Sequence, residues 1–302
     1  MREFTAKEQL AFAQRVYAMF TFLSATSLAR TSGVAATCLG LMLAAPPARA
    51  EVDPALTRYT KGSTATVDHK AFDALLKAHV MPNPDGLNRV DYKAFKAGGH
   101  ASLKGYVANL EKVDIAKLDR PEQFAYWANL YNAKTIDIVL DKYPVKSIKD
   151  ISLGGGLLAA VTGGPWKAKT MRVTGRDLSL DDIEHGILRP TFKDPRVHYS
   201  VNCASVGCPN LGTEAFTGAK LEQQLDTAAK AFINSPRGVR VEAGRTIASS
   251  IYSWFQADFG GNAAGVLDHA RRYAEPALKL KLEGITSIAE FTYDWSLNDK
   301  TN

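Results

Sequence analysis

Outside its first fifty residues the chain has only two cysteines, Cys203 and Cys208, and nowhere does it carry a run of basic residues. Two thiolates five positions apart, with no histidine pair beside them, do not match the short hairpin spacing of a zinc site. A thioredoxin-type redox pair would want two intervening residues, not four. Neither metal nor cofactor is therefore expected. Once residues 1–50 are set aside, 32 basic residues face 29 acidic ones. So mild a balance, without a basic patch, excludes nucleic acid as an expected partner. No apolar run after residue 50 is long enough to span a membrane, and no internal repeat is present. The glycine clusters near residues 153–165 lack the Gly-Lys-Ser/Thr ending of a phosphate loop.

What is present begins with an uncharged apolar run at 34–45, preceded by Arg30 and followed by Pro46-Pro47 and Ala48-Arg49-Ala50. Twelve residues fall short of the roughly 20 that cross a bilayer. The small-x-small triplet after them fits a signal-peptidase site. Residues 1–50 therefore read as a signal peptide cleaved after Ala50, which makes the protein exported, with the periplasm as the expected compartment. The remaining 252 residues suffice for one large core, or one domain with a helical extension.

Residues 51–118 read as a helical N-terminal extension packed on a main domain over 119–298. Apolar residues recur at helical spacing over 68–80 and again over 102–113, and a turn at 82–86 separates the two runs. The longest predicted helix is 121–143, with Asp119 as cap, Pro121 at its first position and Pro144 as its stop. Its first half is apolar almost all round, so it belongs at the centre of a core. The glycine-bounded segment 153–165 reads as a surface loop, with a lid over a cleft as the alternative. A short strand over 169–173 turns at Thr174-Gly175, and Ser179 caps a helix through Leu188. Helices follow at 217–233, 250–259 and 262–273, with a short strand at 239–242. In the last segment Phe291, Tyr293, Trp295 and Leu297 alternate as a half-buried strand would. The expected fold class is α+β: a long central helix packed with further helices around a small, mainly antiparallel sheet.

The residues with chemistry in them concentrate at 198–211. Val197, Tyr199, Val201 and Cys203 alternate with His198, Ser200 and Asn202, a pattern that predicts a strand ending at the cysteine. On a regular strand His198 and Cys203 would lie on opposite faces; a bulge at Asn202 would bring them together. A second histidine, His185, follows Glu184 on the predicted helix, with Asp181 four and Asp182 three residues before it. Carboxylates so placed orient an imidazole and favour its charged form, and an imidazolium beside a thiol favours the thiolate. Asn129 and Asn132 share one stripe of the central helix and should be buried. They either donate to a reacting group or bind, or they tie a loop to the helix. Trp166, just after the glycine-bounded loop, is a candidate binding residue. In an oxidising compartment Cys203 and Cys208 could instead close a small disulfide clamp, with Gly207 letting the loop turn tightly.

Together these segments resemble the domain of unknown function 547 family. The resemblance rests on Phe124-Ala-Tyr-Trp-Ala-Asn-Leu-Tyr-Asn-Ala133, Tyr143-Pro-Val-Lys-Ser-Ile148, Leu178-Ser-Leu-Asp-Asp-Ile-Glu-His-Gly-Ile187 and Asp194-Pro-Arg-Val-His-Tyr-Ser-Val-Asn-Cys-Ala-Ser-Val-Gly-Cys-Pro209. It continues through Ala229-Lys-Ala-Phe-Ile-Asn234 to Tyr293-Asp-Trp-Ser-Leu-Asn298, so it covers about residues 85–298. The family pattern has the same residue types at Asn129, Asn132, Glu184, His185, His198, Asn202, Cys203 and Cys208. It implies a fold and a focus, and no reaction.

Two functions remain open at this point. One is a cysteine-dependent hydrolase or acyl transferase acting on amide bonds of peptide or envelope material. It would use Cys203 as nucleophile, His185 or His198 as base, and Asn202 or Glu184 as orienting group. The other is a non-catalytic envelope binding module with a structural Cys203–Cys208 disulfide. In both the expected partner is a peptide or cell-envelope ligand.

Overall fold

A computed structural model describes residues 52–153 and 164–300. The proposed signal peptide and most of the glycine-bounded loop lie outside the described residues. Four of the longer helices build the first half of the fold: α1 (Lys70–His79), α2 (Tyr92–Gly98), α3 (His100–Leu110) and α4 (Arg120–Lys142). Asp119 caps α4 by accepting from the Arg120 amide, and Pro121 occupies its first turn, where a missing N–H costs nothing. From Glu122 to Ala133 every residue of α4 is buried. The near-continuous apolar sequence of that stretch is thus explained by packing on all sides.

Residues 171–178 form a hairpin, β1 (Met171–Val173) against β2 (Arg176–Leu178), antiparallel. Thr174 and Gly175 both take positive φ at its turn, as a two-residue hairpin loop requires. Further on, β3 (Val239–Glu242) pairs antiparallel with β4 (Arg245–Ser249), which pairs parallel with β5 (Glu290–Thr292). A two-residue antiparallel ladder joins residues 80–81 to 89–90. Helices around small, mainly antiparallel sheets make the fold α+β, as the sequence predicts. Among the described residues no helix is long and apolar enough to cross a membrane.

Two apolar cores share the interior. The larger gathers α1 to α4, the β1–β2 hairpin and the segment after it. The smaller gathers Tyr199, α5 (Leu221–Ile233), Tyr252, Phe259 and α6 (Ala263–Tyr273). The chain from 197 to 203 runs along the seam, giving Val197 and Val201 to the first core and Tyr199 to the second.

That segment departs from the predicted strand. Val197–Ser200 is a helical turn, and only from Val201 does the backbone extend. Alternation misleads here because both cores claim the segment: His198, Ser200 and Asn202 are as buried as the apolar residues between them. The terminal segment departs too. Only Glu290–Thr292 pairs as a strand, and Tyr293 and Trp295 leave it to pack elsewhere.

Candidate functional site

The helix that carries Glu184 and His185 is wound wide. Over Asp182–Leu188 its bonds reach back five residues, so that the Arg189 amide donates to the Glu184 carbonyl. Pro190 supplies a reason, since it has no N–H for the α-helical bond to Gly186 and its ring would crowd that carbonyl. Such wide turns often accompany functional sites. Ser179 opens this helix through a reciprocal cap: its amide and hydroxyl donate to Asp182 Oδ2 (2.7 and 2.6 Å), and its hydroxyl accepts from the Asp182 amide (3.1 Å). Asp182 also pairs with Lys169. It is therefore unavailable to His185, contrary to the expectation from helical spacing. Asp181 remains near, with Oδ1 3.8 Å from His185 Nε2.

Glu184 points inward. Its Oε1 lies 3.6 Å from His198 Nδ1 and 3.9 Å from His185 Nδ1, and the buried Tyr131 hydroxyl on α4 bonds to it. Burial alone would raise its pKa, but the His198 bond and the neighbouring imidazoles outweigh that and hold it below the usual value. On its other side His198 Nε2 donates to Asp258 Oδ2 (2.8 Å), which also accepts from Arg189 Nε (2.6 Å). Desolvation works against the charged imidazole of His198, yet the bonds to Asp258 and Glu184 prevail and its pKa is raised. Asp258 is likewise desolvated, and the His198 and Arg189 bonds hold it well below the carboxylate range. Phe255 completes the cluster, with the His198 ring stacked on it at 4.4 Å and the Arg189 guanidinium over it at 4.6 Å.

Cys203 and Cys208 are joined by a disulfide with Cα atoms 6.1 Å apart. Asn202 shapes the loop between them. Its Nδ2 donates to the Pro209 carbonyl (2.6 Å) and its Oδ1 accepts from the Ala204 amide (2.9 Å). Both ends of the amide are thus spent on backbone, and Asn202 orients no histidine. Gly207 is needed for close approach rather than for turning. A Cβ there would stand 2.8 Å from the Asp294 amide nitrogen, whose residue also accepts the Gly207 amide at 2.8 Å. This approach brings Tyr293 over the loop. Its hydroxyl lies 3.0 Å from Cys203 Sγ, 3.2 Å from Cys208 Sγ and 2.9 Å from Ser205 Oγ.

These groups surround a cavity of about 250 Å³ at the seam of the two cores. It is lined by Glu184, His185, His198, Cys203 and Cys208, and its walls are aromatic: Tyr131, Trp166, Trp254, Phe255, Tyr293 and Trp295. Trp166, the candidate from the sequence, is thus one of the lining residues. Asn129 and Asn132 do not line it. Asn129 exchanges two bonds with the Phe216 backbone (2.8 and 2.9 Å), and Asn132 clamps the Ser200 carbonyl and the Asn202 amide (2.8 Å each). Asn132 fixes the segment that carries His198 and Cys203, Asn129 fixes the chain at Phe216, and neither lines the cavity.

The six candidates from 184 to 208 meet in this region, but not as a thiol triad. Both ring nitrogens of His198 face carboxylates, and His185 Nδ1 accepts from Arg189 at 3.1 Å. Among the described residues neither histidine hydrogen-bonds a sulfur. Sequence reading misses Tyr131, Arg189, Trp254, Phe255, Asp258 and Tyr293. The period-two spacing of Tyr293 and Trp295 was a usable signal, since it sets both on one side. Asp258 left none.

Residues 115–233 match the model of a family described as "Protein of unknown function, DUF547", and this segment of the chain belongs to that family. The match holds Glu184, both histidines and the cysteine loop. Trp254, Phe255, Asp258, Tyr293 and Trp295 lie beyond it. No curated protein and no solved structure matches the chain.

Proposed function

We propose that this is an exported, non-catalytic binding module whose aromatic-walled cavity holds a small ligand from peptide or cell-envelope material. The observation that carries the reading is the combination of a preformed aromatic cavity with a cysteine pair closed into a disulfide at its edge. Ligand sites are commonly concave, largely apolar, and fitted with a few polar groups, and this one has that make-up. Export rests on the apolar run and the Ala48-Arg49-Ala50 triplet.

A second reading, the thiol hydrolase or acyl transferase on amide bonds, is favoured by one observation: Cys203 lines the cavity beside Ser205 and Tyr293. Against it stands the chemistry of the base. A base must reach its nucleophile at roughly hydrogen-bond distance, yet both nitrogens of His198 face carboxylates, His185 Nδ1 accepts from Arg189, and among the described residues neither ring hydrogen-bonds a sulfur.

Protein recovered from its native host and treated with iodoacetamide, without reductant, tests the first reading by mass spectrometry. The expected result is an N-terminus at Glu51 with Cys203 and Cys208 joined and unalkylated. A chain starting at Met1 or Met19 in a cytoplasmic fraction removes export. Alkylated Cys203 removes the structural disulfide and favours the enzyme.

A further inference from the structure

The make-up of the cavity also bears on what it binds. Trp254 and Trp295 stack at 5.7 Å and 27°, Tyr293 packs against both (4.8 and 4.6 Å), and Trp166 meets Trp295 edge-on at 5.7 Å. Trp254 is 48% exposed, one of the three exposed large apolar side chains among the described residues. A wall of this kind offers flat, electron-rich faces, which attract the electropositive C–H faces of a ring.

The polar lining then narrows the class. An aromatic cage alone would suit a quaternary ammonium, and uncompensated negative charge beside it would strengthen that case. Here Asp258 is matched by Arg189 and His198, and Glu184 faces both His198 and His185. Asp181 and Lys167 add one further charge of each sign to the lining. The lining therefore favours neither a cation nor a phosphate. It offers acceptors (Asp181, Glu184) and donors (Lys167, and His185 Nε2–H, since its Nδ1 accepts from Arg189) in one small space. Hydroxyl groups both donate and accept, so they satisfy such a mixture.

Taking the binding reading as given, we propose that the ligand is a neutral glycan. One sugar ring would stack on the Trp254–Trp295 wall, with its hydroxyls on Glu184, His185, Asp181 and Lys167. The volume agrees: about 250 Å³ is just under the roughly 300–1,000 Å³ of ordinary small-molecule sites. That suits a ring at the end or side of a chain rather than an extended peptide.

The chain reports on this site by itself. Of its four tryptophans, Trp166, Trp254 and Trp295 line the cavity and only Trp127 is buried in the core. Tryptophan emission of the whole chain, titrated with tetrasaccharides of N-acetylglucosamine, of β-linked glucose and of α-linked glucose, should change saturably for at least one of them below about 10 mM. Choline and a lysine-containing tripeptide should leave it unchanged. In Trp254→Ala, an exposed position whose loss spares the core, the affinity should fall about tenfold or more. Saturation by choline or the tripeptide, with no response to any sugar, overturns the glycan while leaving the binding reading standing. Silence from all three sugars, or undiminished sugar affinity in Trp254→Ala, also overturns it.

Discussion

Replacing Asp258 with alanine should lower the unfolding free energy by about 2 kcal/mol, less than the roughly 3–5 kcal/mol of a fully buried pair because Asp258 and Arg189 are only partly buried and solvent screens them. Two cations converge on one carboxylate oxygen of Asp258: His198 Nε2 at 2.8 Å and Arg189 Nε at 2.6 Å. Among the described residues neither has another carboxylate as near; Glu184 is 3.6 Å from the far nitrogen of His198. The loss should depend on pH in a definite direction. His198 has a raised pKa in the folded protein, so its contribution is fully present below its unfolded value of about 6.5 and fades as pH rises through the folded one. Asp258 and Glu184 are lowered. Their contributions are present above unfolded values of about 4 and are lost as pH falls through the folded ones. The difference between wild type and Asp258→Ala should therefore be largest near about pH 5–6 and shrink in alkali. It should not vanish there, because Arg189 stays charged. Urea midpoints across pH check this; a gap that widens in alkali would mean that His198 is not held as an imidazolium.

Asn132→Leu is expected to cost about 2–3 kcal/mol, near the top of the range for stranding buried hydrogen-bonding groups. Its amide serves the Ser200 carbonyl and the Asn202 amide at once, and all three residues are buried. A leucine of similar size leaves both backbone groups without a partner and without water. Asn129→Leu should cost less, about 1 kcal/mol, because its partner Phe216 is only half-buried and water can replace the lost bonds. Denaturation curves for the two variants test the order. Equal midpoints, or a wild-type midpoint for Asn132→Leu, would show that α4 does not hold the cysteine segment as described.

Much of this architecture is legible in the sequence because it is local. The cap at Asp119, the proline at 121 and the largely apolar first half define α4, and Thr174-Gly175 marks the β1–β2 hairpin. The cysteine loop and the Glu184-His185 pair mark the region of the site. The site's wiring is less legible, because it joins distant positions. No spacing rule connects His198 to Asp258, sixty residues on, or brings Trp254 against Trp295. The segment 197–203 shows the limit most clearly. An alternating pattern signals one wet and one dry face, whereas this stretch has none: its polar side chains are buried and satisfied by Asp258, Glu184 and nearby backbone. Asp182 shows it again, since helical spacing points it at His185 while a serine cap and Lys169 claim it first.

The central claim is that the cavity holds its ligand and leaves it unaltered. Equilibrium dialysis of the full chain against soluble cell-envelope fragments, followed by mass spectrometry of both compartments and of the protein, tests it most directly. The account predicts fragments enriched with the protein, recovered at unchanged mass, and a protein with no adduct on Cys203. Cleaved fragments, an acyl group on Cys203, or no enrichment of any fragment would contradict it.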